Sequence, residues 1–184
     1  MAAPATSNYV GISRTDFVID DCSSGDLRSK IGGAWRLVSD AVMGGVSQGE
    51  LMPCVVSGRP CLRLTGDVRL ENNGGFVQAS LDLGNNEFLD ASAYAGFELD
   101  VFGNGEKYNL HVRTADTRMV WQSYRASFQA AACWQRVRLP FSELVPHRID
   151  VPINVRNLKR IGLVAIGRAF AAELCLARVA LYRV

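Results

Sequence analysis

A chain of 184 residues, 48% hydrophobic and 21% charged, has the proportions of one ordinary globular domain, able to bury roughly 70% of its unfolded surface. Its 20 Lys and Arg are scattered among 18 Asp and Glu, which excludes the electrostatic footprint of a nucleic-acid or membrane-surface binder. Cys22, Cys54, Cys61, Cys133 and Cys175 form an odd set, with no C-x-x-C and no histidine at zinc-ligand spacing. Neither an even disulfide framework nor a structural zinc site is expected, and the reducing cytosol fits best.

From the start, Met1 to Tyr9 lacks the charged and apolar regions expected of a leader, and Met1 to Ser13 is small and polar. It is expected to be a loose arm over residues 1–13, ahead of one domain over residues 14–184. No later run approaches the roughly 18 apolar residues that a spanning helix needs, and the expected location is cytoplasmic.

The body alternates short β-branched and aromatic runs with Gly, Asn, Asp and Pro clusters, the pattern of an antiparallel β-protein. Strands are expected near Asp16–Ile19, Trp35–Val38, Gly45–Leu51, Cys61–Leu70, Gly75–Leu83, Gly96–Phe102, Tyr108–Arg113, Met119–Phe128, Trp134–Pro140, Arg160–Ile166 and Glu173–Tyr182. In Leu62-Arg63-Leu64-Thr65 and Val137-Arg138-Leu139 the apolar residues fall on one face, as half-buried strands require. Gly103-Asn104-Gly105 suits a hairpin with positive φ, and Gly84-Asn85-Asn86 breaks another strand pair. Helix is expected only as single turns, at Ser142-Glu143-Leu144 and over Asp26–Ile31. No repeat or linker divides the chain, so the expected architecture is a single-domain, all-β, two-sheet antiparallel sandwich of jelly-roll kind.

Two glycine-rich segments stand out, Trp35 to Gly49 (WRLVSDAVMGGVSQG) and Leu70 to Phe76 (LENNGGF). Each sets an acidic residue beside a Gly-Gly pair, which permits positive φ and close approach of other groups. Asp40 with Ser39 and Met43, and Glu71 with Asn72 and Asn73, are candidate binding residues. Asp and Ser also hold turns by bonding nearby backbone amides, and that structural role is the stronger reading for Asp40. A lone Glu71 carboxylate beside two amides is too sparse for calcium, which takes about six to eight oxygens, and neither Gly-Gly pair carries the lysine and helix start of a phosphate loop.

Asn109, His111 and Arg113 share one face of a strand, opposite Tyr108, Leu110 and Val112. That polar stripe is the best candidate recognition surface, and a solvated or internally hydrogen-bonded stripe is the stronger reading of it. No serine or cysteine nucleophile pairs with His111 on sequence grounds, and His147 falls in an expected loop. Trp121, Tyr124 and Trp134 suit sugar stacking or, more commonly, core packing. No catalytic residue, metal or cofactor is assigned.

The segments Trp35–Gly49 and Gly66–Phe76 resemble the core signature of the complex I intermediate-associated protein family. Tyr94-Ala95-Gly96-Phe97, Gly103-Asn104-Gly105, Tyr108-Asn109-Leu110, Tyr124–Phe128 and Trp134–Phe141 continue the resemblance in order, over roughly Asp16 to Val184. It implies a galactose-binding-like sandwich and a non-catalytic, chaperone-like role in assembling respiratory complex I, whose subunits or assembly intermediates would be the protein partners. Neither nucleic acid nor membrane insertion is implied. A carbohydrate-binding module with its cleft on the sandwich rim is the alternative. Ala41 replaces a usual glycine, and Leu144–Asp150 and Ile161–Arg168 depart from the family pattern.

Overall fold

The computed structural model describes residues 16–84 and 86–184. The arm expected over residues 1–13, and Asn85 of the expected Gly84-Asn85-Asn86 break, lie outside the described residues. The described residues form twelve strands: β1 (Phe17–Asp20), β2 (Arg36–Ser39), β3 (Gln48–Val56), β4 (Arg59–Val68), β5 (Phe76–Asp82), β6 (Gly96–Gly103), β7 (Lys107–Thr114), β8 (Ser123–Gln129), β9 (Gln135–Pro140), β10 (Val145–His147), β11 (Leu158–Ile166) and β12 (Phe170–Tyr182). They pair antiparallel into two six-stranded sheets.

The first sheet runs β3-β4-β12-β6-β9, with β1 also on β12. The 13-residue β12 is long enough to take β4 along Phe170–Leu176 and β1 along Val179–Leu181 on one side, with β6 on the other. The second sheet runs β10-β8-β7-β11-β5-β2. Side chains alternate across each strand, and the inward sets close one core: Leu62, Leu64, Phe97, Leu99, Val101, Leu174 and Leu176 from the first sheet meet Val77, Leu81, Leu110, Val112, Tyr124 and Leu163 from the second. Trp35 is buried among them, and its indole N–H donates to the buried Asp20 carboxylate at 2.7 Å. That bond satisfies two polar groups whose burial is costly when they are unpaired.

Each strand expected from the sequence is present, with ends shifted by a few residues. Three local expectations are corrected. Gly103-Asn104-Gly105 has its positive φ at Gly105, but it carries the chain from β6 in one sheet to β7 in the other and so makes no hairpin. Asp26–Ile31 forms turns and a bridge instead of a helical turn. There the Asp26 carboxylate accepts from the Arg28 amide at 2.8 Å and the Ser24 hydroxyl donates to the Arg28 carbonyl at 2.9 Å, local bonds that compete with helix. Finally, Val145–His147 is an edge strand on β8, where a loop was expected. Pro146 weakens that signal in sequence, yet an edge strand tolerates a missing donor, as β3 tolerates Pro53 at the edge of the first sheet.

Candidate functional site

The two glycine-rich segments meet through one side chain. Asp40 is fully buried, and its carboxylate accepts from the Ser47 amide at 3.0 Å, the Ser47 hydroxyl, the Gly75 amide and the Phe76 amide at 3.3 Å. Burial opposes ionisation here, but those hydrogen bonds outweigh it and hold the carboxyl below its ordinary range. The glycines make room for the clamp: a Cβ at Gly45 would sit 2.3 Å from the Asp40 carboxyl carbon, and one at Gly74 would sit 2.5 Å from its oxygen. Every lone pair of Asp40 that the turn reaches is spent on protein.

Around that clamp the remaining turn residues face outward. Ser39 caps the Asp40–Met43 turn by accepting from the Ala41 amide at 3.3 Å. The Asn72 amide donates to the Gly44 carbonyl at 3.2 Å, Glu71 pairs with Arg69, and Asn73 takes a left-handed conformation. Val42, Met43 and Leu70 are exposed at this end of the sandwich.

The Asn109, His111, Arg113 stripe lies on the outer face of the second sheet, while Tyr108, Leu110 and Val112 point into the core. Pairing builds a wider surface around it. Asn109 sits opposite Ser127 on β8 and Val164 on β11, and His111 opposite Arg125 and Gly162; Gly162 in turn faces Ser80 on β5, which faces Arg36 on β2. Arg113 and Arg160 are neighbours, and Arg160 faces Asp82. Gly162 leaves space that the Gln78 side chain crosses, since a Cβ there would lie 2.7 Å from its amide. The stripe and the Asp40 turn do not merge into one rim, because β11 and β5 stand between β7 and β2.

Charge on this face is lopsided. Asp82 pairs with Arg36 at 3.0 Å and Arg160 at 2.6 Å. Arg113 finds only the Thr117 and Met119 carbonyls, at 2.9 and 3.1 Å, and Arg125 only the Ser123 hydroxyl at 2.9 Å. Among the described residues no carboxylate pairs with either. Burial, and in each case another arginine, lower both guanidinium pKa values. His111 Nε2, Arg113 Nε and Ser80 Oγ are buried without a hydrogen-bond partner, a set that costs free energy until something satisfies it.

This geometry does not support acid–base chemistry. Burial first, then the Arg125 and His147 charges, push the His111 pKa down to about 3, so at neutral pH its imidazole is neutral and a very weak base. Ser127 donates to Asn109 at 2.7 Å and Ser123 accepts from Arg125, while Ser80, whose Oγ has no partner, stands two strands from His111 across Gly162. Of the aromatic candidates, Tyr124 is core, and Trp134 lies with Phe102 on the first sheet, its N–H on the Val56 carbonyl. Trp121 stays exposed, in the β7–β8 turn that Arg113 ties down. Arg36, Gln78, Ser80, Asp82, Arg125 and Arg160 complete the face. Period-two alternation in Tyr124-Arg125-Ala126 places Arg125 outward, but its position beside His111 depends on strand pairing.

By fold, the protein is a two-sheet antiparallel β-sandwich of the architecture found in carbohydrate-binding modules. It superposes on the family 11 carbohydrate-binding module from Clostridium thermocellum in complex with a β-1,3-1,4-mixed-linked tetrasaccharide, with a TM-score of 0.69 and 13% identity, covering 91% of this chain and 95% of the module. It is also similar to the family 30 module of the cellulosomal cellulase Cel9D-Cel44B of Clostridium thermocellum, with a TM-score of 0.65 and 17% identity over 92% and 98% of the two chains. At such identities the likeness is one of fold alone. Residues 25–176 match the model of the complex I intermediate-associated protein 30 (CIA30) family, and the chain belongs to that family. No curated protein matches it significantly in sequence. Among the described residues no helix is long and apolar enough to cross a membrane.

Proposed function

We propose that the protein is a non-catalytic binding module that acts as an assembly factor for respiratory complex I, holding a subunit or assembly intermediate on the outer face of its second sheet. Family membership supports the assembly role. The observation that carries the choice of face is the pair Arg113 and Arg125, half-buried and without carboxylate partners, beside the unpartnered Nε2 of His111. A partner segment bearing carboxylates and backbone carbonyls would supply what they lack, and such charge-assisted bonds are the strong ones at an interface. Met119, Val120 and Trp121 are exposed at the Arg113 end of the face, where an apolar contact would add area and exclude water.

Two stretches that depart from the family pattern, Leu144–Asp150 and Ile161–Arg168, supply β10 and most of β11 on this same face. The partner segment is therefore expected to differ from that of other members. Affinity purification of the tagged protein from its native cells, with mass spectrometry, tests the proposal. Stoichiometric complex I subunits are the expected result, and their absence under conditions that preserve assembly intermediates would defeat it.

A second reading, carbohydrate binding, draws on the shared fold and the exposed Trp121, since a flat aromatic ring stacks on sugar faces. Calorimetry with mixed-linked glucan oligosaccharides addresses it directly. Saturable heat abolished by Trp121→Ala would favour this reading over protein assembly.

A further inference from the structure

On the opposite side of the molecule, strand pairing gathers three cysteines that lie far apart in sequence. Cys54 and Cys61 face each other across the β3–β4 hairpin with their sulfurs 3.4 Å apart. Cys175 on β12 joins them, and all three sulfurs lie within 4.8 Å of one another. We infer that Cys54, Cys61 and Cys175 form a three-thiolate site for one divalent, thiophilic metal ion of the zinc class.

The geometry suits such an ion. With metal–sulfur bonds of about 2.3 Å, thiolates around a trigonal or tetrahedral centre stand roughly 4 Å apart, and the sulfurs need only small rotations to reach that spacing. The donor set is entirely sulfur, with no carboxylate in the group, which selects a soft ion over calcium or magnesium. Cys61 and Cys175 are buried and Cys54 is half-buried, so the Cys54 side leaves a fourth position open to water. Val56, Phe102 and Trp134 pack against the same cluster and confine access to the Cys54 side.

A second observation points the same way. Arg63 is the direct cross-strand neighbour of Cys175, and while one end of its guanidinium donates to Glu173 at 2.6 Å, its Nε is buried without an acceptor. Binding would exchange three S–H protons, released to solvent, for three metal–sulfur bonds, leaving one net negative charge on the site. That charge is the acceptor the orphaned Nε–H lacks.

Titration of the reduced, metal-free protein with Cd2+, followed by the thiolate-to-metal charge-transfer absorption, tests the inference. One equivalent should bind, Cd2+ should displace Zn2+ from the zinc-loaded protein, and Cys175→Ala and Cys54→Ser should each weaken binding at least tenfold. Cys133→Ala should change nothing, since Cys133 is exposed and outside the group. Circular dichroism establishes that each variant is folded; the half-exposed Cys54→Ser decides the matter should Cys175→Ala unfold. Absence of the absorption in the reduced wild type would overturn the inference. So would an undiminished Cd2+ affinity in folded Cys54→Ser, or a Cys54–Cys61 disulfide in the purified protein with no metal uptake after reduction.

Discussion

The outer faces of the two sheets handle charge in opposite ways. On the first sheet, Glu98 and Asp100 are buried beneath their own counter-ions: Arg138 and Arg178 reach Glu98 at 2.8 and 2.7 Å, while Arg136 grips Asp100 with two bonds at 2.7 and 3.0 Å and Arg59 adds another. Around these carboxylates the face is electrostatically complete and offers a ligand nothing unpaired. On the second sheet Asp82 serves two arginines and leaves Arg113 and Arg125 on neutral oxygens. The Glu98 and Asp100 cluster contributes to stability through closed pairs; the second face keeps polar groups in reserve, as surfaces that bind commonly do.

Breaking the closed elements should have the largest effects. Asp40→Ala would leave the amides of Ser47, Gly75 and Phe76 without their acceptor and is expected to cost about 3–5 kcal/mol, read as a lower urea midpoint. Because the Asp40 carboxyl titrates below its unfolded value, its contribution is complete above the unfolded pKa and is lost as pH falls through the folded one. Glu98→Ala should cost about 2–4 kcal/mol, less than a fully enclosed pair because its arginine partners reach solvent. An unchanged melting temperature in Glu98→Ala would erase the distinction between the faces.

Smaller effects mark the open face. His111 is held neutral with a pKa near 3 instead of its ordinary 6.5. Between those values the unfolded chain binds a proton that the folded one refuses, so stability should fall as pH drops below about 6.5, by at most about 1.4 kcal/mol per unit. His111→Gln should flatten the melting temperature between pH 6.5 and 4.5, and an unaltered slope would place the titration elsewhere. Arg125→Gln should move stability least, by no more than about 1 kcal/mol, because it removes one hydroxyl contact and no carboxylate pair. Its consequence is expected in partner affinity, which should also weaken with salt.

Much of this architecture was legible in residue order. Period-two alternation in Leu62-Arg63-Leu64 and Tyr108-Asn109-Leu110-His111 assigns inward and outward faces before any pairing is known, and the Gly-Gly segments mark the turns that Asp40 joins. Relations between distant strands were not legible. Cys175 lies far along the chain from Cys61, so an odd set of cysteines without C-x-x-C gives no disulfide framework or structural zinc site in the sequence, and only the β4–β12 register brings them together. Likewise, the lopsided charge of the second face arises because Arg113, Arg125 and Arg160 come from three strands with one nearby carboxylate; scattered along the sequence, they had looked balanced. Gly103-Asn104-Gly105 shows the same limit, for its glycines specify a bend without specifying which sheet follows.

The central claim concerns the open face, and the double variant Arg113→Gln/Arg125→Gln tests it most directly. Tagged wild-type and variant proteins would be recovered from native cells, with complex I subunits quantified by mass spectrometry alongside each protein's melting temperature. The account predicts at least a tenfold loss of co-purifying subunits with a melting temperature within a few degrees of wild type. Full retention of those subunits by the folded variant would contradict it.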